Sequence, residues 1–535
     1  MNKFCFISLF IVLFSLFFAS CPNPFMKDIL GIREVFFNTN GGNPVPSKQN
    51  VWRDEKVKIP SSPVKAEYDF AGWYSDNETF LLPWDFNEQP YDGMTLHAYW
   101  VPQAVNAQMP NITVQPLSRT ENSLVVIPEL IVTSNVSDGG TLTYQWYRNT
   151  VNSTTEGTII SGANSVNYQP PRDRVGTVFY YVVITNTIPN NGDGGIKIRQ
   201  RFSNVAGITI LGNFFVTNIT QWNEALTMIQ NSGNNQNYII NTGNYDIDGI
   251  TPLTGALTNT TGFGTGTNLT ITLTGSGTLN TANINGNMIR VGGEQEFIID
   301  GGITLNGRRN GQYGHTGNNT APVIAVQPSG ILRLKNGTIT GNRTESLNLA
   351  GGIHISDGGT SFIMEGGKIS GNETAGIGGG VAVNSGSTFT MSGGEISGNT
   401  AETNGGGVNV SGMFNMTGGE ISGNIATSSG GVSVIGTFNM TGGIITSNIA
   451  RQRGGGITVN SDATFTKTGN SIITGFVSDS ANGNVVRTGA VGTEISNMGH
   501  AVFRVSGSRR EKTVEANENL SFIGGVETGN WIDPP

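Results

Sequence analysis

The chain has 535 residues, 76 of them glycine, a net charge of −8 and a pI near 5.2. With no basic cluster of nucleic-acid size, no nucleic-acid partner is expected. Two cysteines, Cys5 and Cys21, rule out a disulfide framework. The length predicts several domains, and regularly recurring apolar positions argue against disorder despite the glycine content.

Residues 1–20, MNKFCFISLFIVLFSLFFAS, place one positive charge, Lys3, before an apolar run that ends in small residues, Ala19 and Ser20. This reads as a secretory signal peptide. The closing Phe18-Ala19-Ser20-Cys21 resembles a bacterial lipobox, although Phe18 replaces the usual leucine. The resemblance implies cleavage before Cys21 and a lipid on its sulfur, so the expected partner is a membrane, reached through that anchor. The expected location is the cell envelope: the outer membrane or cell surface. Residues 21–33 read as a linker.

From residue 34 to 100 the composition turns aromatic and mixed in charge. The landmarks are Phe37, Asn40-Gly41-Gly42, Phe70-Ala71-Gly72-Trp73-Tyr74, Trp84-Asp85-Phe86 and Leu96 to Trp100. Asn40-Gly41 between apolar runs is a hairpin signal. Trp73, Trp84 and Trp100 are expected in a core, and Asp76, Asn77 and Glu78 in a solvated loop. These landmarks, in this order, closely resemble the internalin B-repeat (Listeria–Bacteroides-type) family, which implies a small β-grasp-like module of bacterial surface proteins and offers no catalytic residue.

Residues 101–210 carry short alternating runs at sandwich spacing, with Trp146 in LTYQWYRNT and Tyr180, Val182 and Ile184 alternating later. They resemble a bacterial immunoglobulin-like domain, a module whose plain role is that of a stalk. In FFVTNITQWNEALTMIQNSG, Trp222, Leu226 and Ile229 fall at helical spacing, with Thr220 as a candidate N-cap and Gly233 as a stop. A helix here would cap the open end of the coils that follow.

Within residues 211–535, Gly351 to Val459 repeats one unit, a glycine run, V-x-V, F-x-M, then G-G-x-I-S-G-N, and Tyr238 to Asn342 carries looser versions of it. Asn342, Asn372, Asn399, Asn424 and Asn448 close successive units at intervals of 30, 27, 25 and 24 residues. A period in the twenties predicts a solenoid, and three short alternating runs per period predict three strands per coil of a parallel β-helix. Side chains alternate between faces of a strand. Phe362, Phe389, Phe414, Phe438 and Phe465 should therefore form one interior file, and Met364, Met391, Met416 and Met440 another, ended by Lys467. The asparagines should satisfy corner backbone groups by stacking. On the order of ten coils would make a rod roughly 50 Å long at the strand spacing. Asn306 to Asn319 breaks the alternation and reads as a protruding loop. Arg509, Arg510, Glu511 and Lys512 would blunt the far edge. The region resembles the right-handed β-helix proteins of bacterial surfaces, pectin-lyase-like and polymorphic-outer-membrane-protein-like repeats among them. The expected class is thus all-β: a β-grasp-like module, an Ig-like β-sandwich, and a right-handed parallel β-helix with an N-terminal capping helix.

Polysaccharide lyases and hydrolases on such coils need clustered carboxylates. Here Asp300 and Asp357 stand alone, Gly314-His315-Thr316-Gly317 has no aspartate pair, and Glu395 and Glu420 share a file in like surroundings. His97, His315, His354 and His500 are too scattered for a metal site. No cofactor, metal or catalytic residue is expected. What remains is the set of positions read as facing water: His354, Asn409, Ser433 and Thr458 from the first strand file, and Thr390, Asn415 and Asn439 from the second. They form the candidate ligand face of a non-catalytic, adhesin-like surface protein binding a host protein or glycan. The alternatives are a polysaccharide-active enzyme and a passive stalk or antigenic coat.

Overall fold

The computed structural model describes residues 31–104, 106–189, 195–253, 262–312, 314–474, 483–487, 501–504, 520–523 and 526–528. The leader, Cys21 and the Arg509 to Lys512 charges lie outside the described residues. The described chain is nearly all β, with one α-helix, Ile219–Gln230.

The first module is a four-stranded sheet in which Arg33–Asn38 lies parallel to the last strand, Met94–Pro102. Val35, Phe37, Trp73, Leu96 and Trp100 fill its core; of the three tryptophans expected there, Trp73 and Trp100 are buried and Trp84 packs against the core partly exposed. Asn40-Gly41 does not join two strands directly. Both residues sit at positive φ, and the Gly42 N–H closes the turn on the Thr39 carbonyl at 3.0 Å. A Cβ on Gly42 would lie 2.3 Å from the Trp100 ring, so the third residue of the motif is fixed by packing. Asp76 does more than face water. It accepts from the Thr79 hydroxyl (2.6 Å) and from the N–H groups of Leu81 and Leu82, which orders its loop.

The middle module holds Trp146 fully buried, its Nε1–H donating to the Ser165 carbonyl at 2.9 Å and its ring stacked on Tyr168. Its last strand, Ala206–Leu211, runs through Gly212 into Asn213–Phe215, the first strand of the solenoid. Leu124, at φ 69, packs into the apolar core that continues without a break from Trp146 into the coils. Arg172 donates to the Leu124 carbonyl (2.8 Å), and Asn231 to the Asp173 carbonyl (3.3 Å). The helix buries Trp222, Ala225, Met228 and Ile229 over the first coils. Its N-cap is Asn218, whose side chain accepts from the Gln221 N–H at 3.1 Å, rather than Thr220.

The regular coils hold one stretch of strand beyond the three that the sequence pattern suggests, giving four strands except where the first two fuse, in Met413–Ser422 and Thr437–Thr446. In one coil they are Thr388–Met391, Glu395–Ser397, Thr400–Asn404 and Val408–Val410. The first two belong to a 19-stranded sheet, the third to a six-stranded sheet and the fourth to an eight-stranded sheet. The extra strand follows the asparagine corner. Its short, mostly polar stretches, such as Glu373–Thr374, carry no apolar alternation, which hides it from pattern reading.

The phenylalanine strands stack in register, while the pairings at Ala401/Asn404, Met416/Thr417 and Ala426/Ser428 carry shifts. Phe362, Phe389, Phe414 and Phe438 pair residue to residue, with ring centroids 4.6, 4.5 and 4.6 Å apart and nearly parallel faces. The rings thus adopt the strand spacing itself. The asparagine file runs through the buried corner. The Asn372 N–H donates to Asn399 Oδ1, Asn399 to Asn424 and Asn424 to Asn448, each at 3.0 Å. Each Nδ2 also donates to a backbone carbonyl, as Asn424 does to Ile396 at 2.8 Å. At the far end Leu520–Ile523 pairs antiparallel with Thr464–Lys467, and Val526–Thr528 pairs antiparallel with it in turn. This reversal ends the parallel growth of the wide sheet.

Candidate functional site

The candidate face divides in two. His354, Asn409, Ser433 and Thr458 are buried, at 3, 1, 2 and 3% exposure, and do not form a ligand surface. The V-x-V strands do point these residues away from the phenylalanine core, but chain leading into each glycine corner lies over them. The Thr458 hydroxyl faces the Arg453 carbonyl at 3.5 Å, and a Cβ on Gly454 would sit 2.1 Å from Thr458 Oγ1. Arg453 reaches over the ring of Phe503, the next member of the file. His354 Nδ1 and Asn409 Oδ1 are buried without a partner. Burial pushes the His354 imidazole down to about 4, the nearby Asp357 charge opposing only weakly.

Thr390, Asn415 and Asn439 stay partly exposed on the wide sheet, adjacent across the coils. Asn439 Nδ2 donates to Asn415 Oδ1 at 2.9 Å, so part of their capacity is spent within the row.

Charge is concentrated elsewhere. Arg343 donates to Glu345 (3.1 Å), Glu373 (3.0 Å) and Glu402 (2.8 Å), and Arg309 also bonds Glu373. On the wide sheet Arg333 joins Glu296 and Glu365, while Lys335 meets Asp300 and Lys368 meets Glu395, at 3.1 and 2.9 Å. The Arg333, Lys335 and Lys368 bridges join successive coils, while Arg343 binds Glu345 on its own coil, Glu373 on the next and Glu402 on the one after. Hydrogen bonds from Ser397 and then Lys368 hold the Glu395 carboxyl below its ordinary range, and Arg343, then Asn318, does the same for Glu345. A general acid needs the opposite displacement. Among the described residues no three His, Cys, Asp or Glu side chains converge as a metal would require.

The Asn306 to Asn319 segment does not protrude freely. Arg308 is buried and bonds Asn283, Asn285 and the Asn318 carbonyl. His315 receives the Arg309 N–H on Nδ1 (3.3 Å), so its Nε2–H donates to the Thr281 carbonyl at 3.1 Å. Asn319 is fastened to Gly286 and Asn342.

Two clefts open where the middle module meets the solenoid, one on either side of Leu124. One, about 400 Å³, is lined by Arg172, Asp173 and Glu224 from the two sides. The other, about 550 Å³, is lined by uncharged residues alone, with Phe215, Ile239 and Asn241 on its solenoid side. The sequence reading did not find it. The signal was present in Asn213 to Phe215 and Tyr238 to Asn241, where large apolar and amide residues alternate on the solvent face of strands.

Residues 34–99 match the Listeria-Bacteroides repeat domain, over the boundaries its landmark residues suggested. No curated protein and no solved structure matches the chain.

Proposed function

We propose that this protein is a lipid-anchored, non-catalytic surface protein that holds a β-helix rod outside the cell for adhesin-like binding of a host protein or glycan. The observation that carries the reading is the order of parts: a repeat domain of surface type at residues 34–99, then a β-rich module, then a parallel solenoid with an uninterrupted core. The middle module's buried Trp146 accords with an Ig-like spacer. The lipobox-like Phe18-Ala19-Ser20-Cys21 supplies the anchor. The absence of catalysis is supported by carboxylates engaged in ladders between coils rather than displaced toward acid–base use. No helix among the described residues is long and apolar enough to cross a membrane.

The test is made on cells expressing the chain and its Cys21→Ser variant. Palmitate should label the first and not the second, and only the first should make cells adhere to immobilised matrix proteins or glycans. Equal labelling of both would remove the anchor. Equal adhesion of both to that of cells lacking the chain would remove the binding role.

A further inference from the structure

We propose that the uncharged cleft between the middle module and the first coils is a binding site for a neutral oligosaccharide. Its floor is the outer face of two parallel strands, Asn213–Phe215 and Asn237–Asn241. Asn213 is paired with Ile239, and Phe215 with Asn241. All four face outward, so amide and apolar groups alternate both along each strand and across the pair. The spacing is about 4.8 Å across and about 6.6 Å along the strands, the scale on which a pyranose ring presents its C–H face and its hydroxyls.

The apolar members are large and unusually open: Phe215 is 54% and Ile239 43% exposed. The Phe215 ring is held in place. It lies over Gly243, where a Cβ would meet it at 3.3 Å, and stands edge-on to Tyr245, itself 47% exposed, at 6.1 Å. Asn241 Oδ1 accepts the Gly243 N–H at 2.7 Å, which fixes that amide and leaves its Nδ2 pointing away as a donor. The Asn122 and Asn213 side chains have no hydrogen-bond partner among the described residues. Asn122 and Val125, from the middle module, form the opposing wall.

The chemistry selects the occupant. A few fixed polar groups among apolar surface, in a cleft of this size, describe a small-molecule site. No carboxylate or cation lines it, although the neighbouring cleft carries both and charged ladders begin at Glu296 on the same sheet. An anionic ligand would find no counter-charge. A helical peptide needs an unbroken apolar stripe, which this floor interrupts, and an extended one a strand edge free along its length; on the outer edge of Asn213–Phe215, three residues long, the Asn213 carbonyl is already taken by the Ser123 hydroxyl. Stacked faces with interleaved amides suit a neutral polyol.

This site gives the surface-binding reading a ligand class and rests on it for its use. Maltohexaose, mannohexaose and chitohexaose, with hexagalacturonate as the acidic control, are titrated calorimetrically into the full chain. At least one neutral sugar should bind, hexagalacturonate should not, and Phe215→Ala or Asn241→Ala should weaken binding about tenfold or more. Both side chains are exposed, so the melting temperature of each variant should match the parent, which separates loss of the site from loss of fold. Neutral binding unchanged in both variants, or no neutral binding, overturns the proposal. Adhesion of the parent chain to a matrix and glycan array, undiminished by Phe215→Ala, would leave surface binding standing without this site. Absence of adhesion to any surface would remove both.

Discussion

Asn424 shows how much one side chain carries. Its Oδ1 accepts both the N–H and the Nδ2 of Asn399, and its Nδ2 donates to Ile396 and Asn448. Asn424→Ala strands those buried groups together and should cost roughly 2–5 kcal/mol. Asn424→Asp keeps the acceptors, loses the donors and should do no better. A denaturant midpoint for Asn424→Ala equal to the parent's would show the file to be incidental. His354 gives a pH signature. Its imidazole is held neutral in the fold down to about pH 4, against an ordinary 6.5. Between those values the unfolded chain binds more protons, so stability is full above about pH 6.5 and falls as pH drops toward 4, by on the order of 3 kcal/mol at most. His354→Gln should remove that slope; an unchanged pH profile would place the imidazole in water. The asparagine file was legible because a corner amide must recur once per coil. Its sixth member, Asn484, lies 36 residues beyond Asn448, outside the regular spacing, though its Gly483-Asn484 step repeats the Gly-Asn step of the corners at Asn342, Asn372, Asn399 and Asn424.

Among the elements, the phenylalanine strands and the charged ladders contribute unequally. Phe414→Ala opens a gap between rings 4.5 and 4.6 Å away and should cost about 3–5 kcal/mol. Lys368→Ala removes an ion pair whose partners are 43 and 39% exposed, and should cost less than about 1 kcal/mol. Equal losses in the two variants, read from denaturant midpoints, would mean the ladders and not the stacked rings hold the coils together. The inward files were readable because alternation fixes which face a residue takes. Whether the other face meets water is not fixed by alternation. It depends on the path of the chain into the corner, and that path covers Asn409 and Ser433 while leaving Asn415 and Asn439 partly open. The fourth strand was hidden for a related reason: its pairing comes from backbone stacking, with little apolar pattern of its own.

For the whole molecule, a parallel solenoid exposes its core and its sheet edges at its two ends. The helix Ile219–Gln230 covers the core of the first coils, and the antiparallel strands Leu520–Ile523 and Val526–Thr528 lie against the last edge of the wide sheet. Removing residues 520–528 should expose the edge of Thr464–Lys467 and drive end-to-end association, seen as a larger mass by light scattering. An unchanged mass would show that the edge is protected otherwise. With its ion pairs joining one coil to the next, the rod leaves few chemically distinctive surfaces, and the clearest is the uncharged cleft at its base. The most direct measurement is therefore the adhesion of the soluble chain, starting at Pro22, to an array of matrix proteins and neutral and acidic glycans. The account predicts retention on a defined subset that includes neutral glycans and is reduced by Phe215→Ala. No retention anywhere on the array would contradict it.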